Sequence, residues 1–185
     1  FAFVLSRDYP QIDVTIACST PQELTLAWEI AALYPGQRCR MEMLALPWYL
    51  KLLDPLISMC SFHRKQAVLR HNHQFFKSLD ALVSPEMHCV KLRRQRGLAN
   101  LRMIYVCHGA GDRDGVFDER LYAFDFMLLP GQKYVDRFRA LGFLPEQGYA
   151  LAGYVKFEVI NGLNRAAPRL FANDRPVVLY NPHFE

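Results

Sequence analysis

Short apolar runs alternate with helix signatures along most of this chain, and this alternation limits its fold more than any other feature. Short apolar runs rich in β-branched residues are typical of buried strands. Apolar residues at helical spacing, bounded by capping residues, glycine or proline, are typical of the helices between them. Strands that alternate with helices form a mostly parallel sheet with helices packed on it. The sequence therefore predicts an α/β fold with a mostly parallel sheet.

The predicted elements follow one another without an internal repeat. The clearest helix begins with Thr20 as N-cap, Pro21 at N1 and Glu23 at N3, and it stops at the next Pro-Gly pair. Further helices are predicted for residues 47–60, 63–79, 86–97 and 132–141, the last with Gly142 as its C′ residue. Strands are predicted for residues 1–6, 13–18, 39–46, 81–85, 102–107, 126–130, 149–154 and 176–182.

Composition narrows the class of protein further. With 185 residues, of which 51% are hydrophobic and 22% charged, the chain suits one globular domain or one domain with the start of another. The net charge of +4 fits an anionic partner such as a nucleotide, a phosphorylated sugar or a lipid surface. The five cysteines form no CxxC pair and are interpreted as reduced thiols. Because the chain opens on Phe1 and ends just after a predicted strand, we interpret it as part of a longer protein.

The segment MIYVCHGAGDRDGVFDE holds the first candidate site residue, His108, which follows a predicted strand directly. Gly109 and Gly111 allow a close approach of the backbone, so that its N–H groups can face a phosphate. A histidine there can accept a proton from an attacking hydroxyl or bind a phosphate oxygen. A turn histidine without chemistry is the alternative, and the residues alone leave both interpretations open.

Two other predicted strand ends carry similar features. Gly131 and Gln132 stand at a strand-to-helix turn, where exposed N–H groups make an anion site. Lys156 lies just past a further strand, where it can meet a phosphate or serve as an ordinary surface lysine. Ligands gather at the carboxyl ends of strands in parallel sheets, so the three positions are expected to share one site.

The run KLRRQR, from its first residue Lys91 to its last, Arg96, is the densest positive cluster. It is expected to face an anionic membrane surface or a polyanionic acceptor, with a solvated helix face as the alternative. Nucleic-acid recognition is not predicted, because no aromatic interleaving or known motif accompanies the charges.

Several other patterns point to no site. The segment DRDG lacks the third acidic ligand and the glycine position of a calcium loop, so a solvated loop in which Arg113 pairs with an acid is predicted there and no metal site. His71 and His73 stand two residues apart and do not share a helix face, so they cannot form a clamp. Ser84 has no nucleophile-elbow context, and no GxGxxG or P-loop occurs. No cofactor is predicted.

Four segments in order, HGAGDRDGVF, DFMLLPGQKYVDRF, YALAGYVKFEVI and RPVVLYNPHFE, resemble the CDP-glycerol glycerophosphotransferases and related glycosyltransferases of the GT-B fold. These enzymes also look like UDP-N-acetylglucosamine 2-epimerase. The resemblance covers residues 103–185, whereas the first hundred residues match only in general α/β character. The family's HG-x-P-x-K pattern is altered here, because HGAGDRD lacks the lysine.

The resemblance implies a Rossmann-like, three-layer N-terminal acceptor domain of a GT-B fold over residues 1–165. Residues 166–185 would then be a linker and the first strand of a truncated C-terminal donor-binding domain. It implies His108 as the catalytic base, or a phosphate contact. The substrate-binding residues that it implies are Gly109, Gly111, Arg113, Gly131, Gln132, Lys156 and His183, of which His183 stands where family members often have Thr or Ser.

The resemblance also implies an activity. A transferase of this kind moves a glycosyl or glycerophosphate group from a CDP- or UDP-linked donor to a polymer or lipid-linked acceptor of the cell envelope or capsule. It would be cytoplasmic, with peripheral attachment to the inner face of the cytoplasmic membrane through KLRRQR, and this piece alone should not turn over substrate. The alternatives are a sugar-nucleotide epimerase on the same fold and a non-catalytic module that docks to a membrane or a partner.

Overall fold

Two all-parallel sheets organise the protein in the computed structural model, which describes residues 1–48, 50, 61–107, 118–144 and 148–154. The first sheet pairs β1 (Thr15–Cys18) with β2 (Arg40–Met43). The second has four strands in sequential order: β3 (Ala81–Ser84), β4 (Arg102–Val106), β5 (Phe126–Leu129) and β6 (Tyr149–Leu151). The parallel α/β prediction is confirmed, and the arrangement agrees with a Rossmann-like three-layer domain.

Helices connect and flank the strands. They are α1 (Ala2–Asp8), α2 (Pro21–Ala31), α3 (Ser61–His71), α4 (His73–Lys77) and α5 (Gln132–Ala140). Two 3₁₀ helices complete the described elements: a basic one (Met87–Arg94) after β3 and a short one (Glu119–Ala123) before β5. Phe1–Tyr154 forms one compact unit. The predicted domain boundary at residue 165, the strand at 176–182 and most of the helix at 47–60 lie outside the described residues.

The main core lies against one face of the four-stranded sheet. Met103 and Tyr105 of β4 are fully buried, as are Met127 and Leu129 of β5, whereas the alternate residue Ile104 is only half-buried. The register pairs Tyr105 with Met127, so the buried side chains of neighbouring strands lie side by side. Burial of this kind is the main favourable contribution to folding.

Helix α2 begins as the sequence predicts. The Thr20 hydroxyl accepts a hydrogen bond from the Glu23 amide at 3.2 Å, and the Glu23 carboxylate accepts one from the Thr20 amide at 3.2 Å. This reciprocal pair satisfies two amides that a helix start leaves without intrahelical partners.

The predicted strand over residues 1–6 is wrong, because α1 occupies Ala2–Asp8. A short apolar run does not by itself distinguish a buried strand from a buried helix. The helix puts Phe3 and Ser6 on its buried side, with the Phe3 ring stacked on Tyr34 at 5.5 Å between centroids. Ser6 Oγ donates to the Phe3 carbonyl at 3.0 Å and accepts from the Arg38 amide at 3.1 Å. These contacts favour the helix.

The single helix predicted over residues 63–79 is also wrong, since Asn72 separates α3 from α4. The Asn72 amide group accepts from the Ala45 amide at 2.9 Å and donates to the Ala45 carbonyl at 2.8 Å. It also donates to the Val68 carbonyl at 2.8 Å. The Asn72 side chain thus pairs with both backbone groups of Ala45, as the backbone of a neighbouring strand would. The helix is interrupted at Asn72.

Two further predictions concern helix ends. The predicted helix over residues 86–97 is instead the basic 3₁₀ helix, which ends at Arg94, and Gly97 follows in a turn with φ of 83°. Helix α5 ends as predicted, with Gly142 at C′ and φ of 72°. The Phe143 amide donates to the Phe138 carbonyl at 2.8 Å and the Gly142 amide donates to the Arg139 carbonyl at 3.0 Å, which is the Schellman arrangement.

Candidate functional site

The chain leaves β4, β5 and β6 at one shared edge of the sheet, which we call the carboxyl edge. The Cys107 amide donates to the Leu128 carbonyl at 3.3 Å, so the exit from β4 lies beside the end of β5. The Ala152 amide donates to the Leu129 carbonyl at 2.8 Å, so the exit from β6 lies on the other side of β5. The three strand exits that precede the predicted site residues are therefore neighbours, as expected for a parallel sheet.

Gly131 and Gln132 are the predicted site residues that the structure describes. They lie at the exit from β5, directly at the start of α5. The remaining predicted site residues lie outside the described residues, and their predicted roles stay predictions; they are His108, Gly109, Gly111, Arg113, Lys156 and His183.

Helix α5 begins without a capping side chain at the carboxyl edge. Gly131 is its N-cap in extended backbone, with φ of −177°, and the first turn of the helix holds no acidic residue. A Cβ atom built on Gly131 would meet nothing within 4 Å, so the space beside this helix start is open. Because the positive end of the helix dipole is not neutralised by its own first turn, an anion at this point would be stabilised.

Gln132 directs its amide along α5. Its Nε2 atom donates to Asp136 Oδ1 at 2.8 Å, one turn further along the helix. A ligand contact through this amide would therefore replace an existing exposed hydrogen bond, whereas the backbone N–H of Gln132 belongs to the first turn, where N–H groups have no intrahelical acceptor.

A chain of three polar side chains fixes the segment that returns to the sheet before β5. Asp118 binds Arg120 through both carboxylate oxygens, with Nε–Oδ1 and Nη2–Oδ2 distances of 2.7 Å. Arg120 Nη1 lies 2.8 Å from His88 Nδ1 on the basic 3₁₀ helix. The bidentate Arg120 contact and the Arg120 amide lower the pKa of Asp118 to about 2.

His88 is neutral at physiological pH in this arrangement. Partial burial lowers its pKa below the ordinary 6.5, and the neighbouring Arg120 cation lowers the pKa further. A guanidinium has only donors, so His88 Nδ1 accepts and the ring proton of the neutral form lies on Nε2. Sequence reasoning found no partner for His88, because Arg120 stands 32 residues away and no local pattern links the two.

The end of β3 is tied down by its own turn. Ser84 Oγ accepts from the Glu86 amide at 3.0 Å and donates to the Glu86 carbonyl at 3.2 Å. Glu86 Oε1 binds Lys65 Nζ of α3 at 2.9 Å. The Ser84 hydroxyl is thus engaged in forming the turn, which agrees with the absence of a nucleophile elbow in the sequence.

Tyr105 carries a polar group into the core just below the carboxyl edge. The residue is fully buried, and among the described residues its hydroxyl has no hydrogen-bond partner of normal geometry. Burial raises the pKa of Tyr105 well above its ordinary value, and the neighbouring Cys107 thiol raises the pKa further. The phenol is therefore a neutral buried donor.

Metal-binding and membrane-spanning features are absent from the part of the chain that the structure describes. No three His, Cys, Asp or Glu side chains there converge as a metal site, and no helix there is long and apolar enough to cross a bilayer. Cys18, Cys39, Cys89 and Cys107 are buried free thiols, as predicted.

Comparison with known proteins gives no relative from which a role could be transferred. No protein-family model, no curated protein and no solved structure matches the chain.

Proposed function

We propose that this chain contributes the acceptor side of a transferase, which moves a glycosyl or glycerophosphate group from a CDP- or UDP-linked donor to a polymer or lipid-linked acceptor of the cell envelope. The observation that carries the proposal is the convergence of three strand exits at one edge, next to the uncapped start of α5. Parallel α/β proteins bind nucleotides and phosphorylated ligands at such edges.

His108 is the proposed base. It follows Cys107, whose backbone is held beside β5 by the 3.3 Å hydrogen bond to Leu128. At the other end of the same connection, Asp118 is held through Arg120 to His88. The described residues on either side of the segment that carries His108 are thus held by hydrogen bonds to β5 and to the basic 3₁₀ helix.

In the proposed reaction, His108 takes the proton of the acceptor hydroxyl as the oxygen attacks the donor. For a sugar donor the new bond forms at the anomeric carbon, and for CDP-glycerol it forms at the phosphorus that bears the glycerol. The bond to the departing nucleotide breaks, and its electron pair leaves with the nucleotide phosphate. The N–H groups at the start of α5 would stabilise the negative charge that develops there.

The test uses the full-length protein with CDP-glycerol and UDP-sugar donors and an isolated cell-envelope polymer as acceptor. His108→Ala is expected to lower kcat about 10²- to 10⁴-fold, the usual contribution of a general base. His71→Ala is the matched control, because His71 is exposed on α3 and should leave kcat unchanged. Near-normal kcat in His108→Ala would exclude this residue as the base, and conversion of the sugar nucleotide without an acceptor would favour the epimerase.

A further inference from the structure

A pocket of about 390 Å³ lies between α3 and the basic 3₁₀ helix, and no residue of α5 lines it. The two helices are in contact, and Lys65 of α3 forms an ion pair with Glu86 at the start of the 3₁₀ helix. This volume is in the range of small-molecule sites. We call it the basic pocket; its lining residues are Gln66, Leu69 and Arg70 of α3 with Lys91, Leu92, Arg94 and Gln95.

The charged residues that line the basic pocket, among those the structure describes, are all cations. Arg70, Lys91 and Arg94 contribute three cations to the lining, and no carboxylate of a described residue lines it. No described residue forms an ion pair or hydrogen bond with the side chain of Arg70 or Arg94. The sequence contains no Asp or Glu over residues 61–79 or 87–101, so neither helix supplies a neutralising charge there. Mutual repulsion of the cations disfavours the empty pocket.

One neutral polar group of the pocket is also a donor in need of an acceptor. Gln66 Nε2 is buried and has no hydrogen-bond partner among the described residues. A buried donor without an acceptor costs free energy, and an oxygen of a bound ligand would remove that cost. Leu69 and Leu92 add an apolar part to the lining, which suits a carbon chain attached to the anion.

We propose that the basic pocket binds the phosphate group of a phosphomonoester. A guanidinium group can donate two hydrogen bonds to the oxygens of one phosphate, and the pocket holds two such groups. Three cations also match the two negative charges of a phosphate dianion better than the single charge of a carboxylate. The ester carbons would lie against Leu69 and Leu92. The phosphomonoester is either a small soluble molecule or the headgroup of a lipid such as phosphatidic acid. This inference does not depend on the proposed transferase activity.

Only part of the run KLRRQR serves this pocket. Arg93 instead donates to the Leu101 carbonyl at 3.2 Å and binds the Asp125 carboxylate. Its guanidinium thus contacts the residues that directly precede β4 and β5. The Arg96 carbonyl lies 2.7 Å from His73 Nε2, which fixes the turn after the 3₁₀ helix. Lys91 and Arg94 are therefore the two cations of the run that line the basic pocket, beside its uncharged members Leu92 and Gln95.

Two probes test the proposal on the full-length protein: inorganic phosphate, measured by equilibrium dialysis against chloride of matched ionic strength, and phosphatidylcholine vesicles with or without phosphatidic acid. We expect each of Arg70→Gln and Arg94→Gln to weaken binding about tenfold. Arg38→Gln makes the same charge change on an exposed residue before β2 and should bind as the parent does. Gln66→Leu should weaken binding and raise the Tm of the unliganded protein, which separates loss of a ligand contact from misfolding.

Each result of these binding measurements either supports the proposal or overturns it. Saturable phosphate binding that needs Arg70 and Arg94 supports the proposal with a soluble ligand. Binding of phosphatidic acid vesicles alone, with the same dependence on the two arginines, supports it with a lipid headgroup. The proposal is overturned if neither probe binds, if binding survives both substitutions, or if Arg38→Gln weakens it equally, since the last result would mean diffuse attraction to a positively charged surface. None of these readouts uses transferase activity.

Discussion

Arg120 Nη1 lies 2.8 Å from Nδ1 of His88 and binds Asp118 with its remaining nitrogens. One guanidinium thus contacts a carboxylate on one side and an imidazole on the other. The carboxylate is stabilised in its charged form and the imidazole in its neutral form, because a cation favours the first and opposes protonation of the second. The two pKa values are therefore displaced in the same direction by the same group.

Removing the charge of Arg120 should raise the pKa of His88. We expect Arg120→Gln to move that pKa towards the ordinary 6.5, with the depression due to burial remaining. Arg120→Lys keeps a cation beside the imidazole and should leave the pKa low. Titration of the histidine Cε1 proton by NMR measures both. An unchanged His88 pKa in Arg120→Gln would show that the Arg120 cation does not contribute to lowering it.

Asp118 should make the protein sensitive to acid. Its pKa falls from 3.8 to about 2 on folding, so its contribution to stability is present above pH 3.8 and is lost as the pH falls towards 2. Asp118→Asn should therefore be less stable than the parent at pH 6, with a difference that shrinks steadily below pH 4. Urea unfolding at a series of pH values measures this. A difference that stays constant with pH would contradict a role through the charge of Asp118.

The start of α2 gives a prediction with an internal control. Thr20→Ala removes the acceptor of the Glu23 amide and should cost about 1 kcal/mol of unfolding free energy. Thr25→Ala, on the same helix, removes only a hydroxyl that donates to the Pro21 carbonyl at 3.1 Å and should be neutral or slightly stabilising, because alanine has the higher helix propensity. Equal losses in both variants would show that the cap contributes nothing of its own.

Local signals explain why parts of the fold could be predicted. The capping box at Thr20 and Glu23 joins residues three apart, and the C′ glycine at Gly142 acts within one turn, so both can be read from short segments. The adjacency of the strand exits follows from the parallel alternation, which the sequence also carries. These features do not depend on which distant residue packs where.

Long-range contacts explain what the sequence did not show. Asn72 ends α3 because it binds Ala45, 27 residues away, and an asparagine inside a helical pattern does not reveal such a partner. The same holds for His88 and Arg120, which are 32 residues apart. Within KLRRQR, Arg93 binds Asp125 whereas Lys91 and Arg94 line the basic pocket. This difference likewise depends on tertiary neighbours and not on charge or spacing.

Tyr105 offers a test of a buried donor that has no hydrogen-bond partner of normal geometry in the described part of the chain. Tyr105→Phe removes the hydroxyl and keeps the ring, so stability should be unchanged or rise by about 1 kcal/mol. Tyr105→Ala removes the whole side chain from a fully buried position and should cost about 3–5 kcal/mol. Chemical denaturation of both variants separates the two effects. Clear destabilisation by Tyr105→Phe would mean that the hydroxyl has an acceptor in solution.

Arg93 and Arg94 are neighbours in the sequence with opposite expected effects on stability. Arg93 binds Asp125, whose Oδ2 atom also accepts from the Met103 amide at 2.7 Å, and Met103 is fully buried. Arg93→Gln should lower the unfolding free energy by about 1–3 kcal/mol, because it leaves the Asp125 carboxylate without its charged partner.

Arg94→Gln should not lower stability, since Arg94 has no described partner and lies among other cations of the basic pocket. Removing one of three like charges relieves repulsion, so a small rise in Tm at low ionic strength is expected, and added salt should abolish it. Parallel thermal unfolding of the two variants at low and high salt measures the contrast. Equal destabilisation by both substitutions would contradict the division of the basic run into a core contact and a pocket contact.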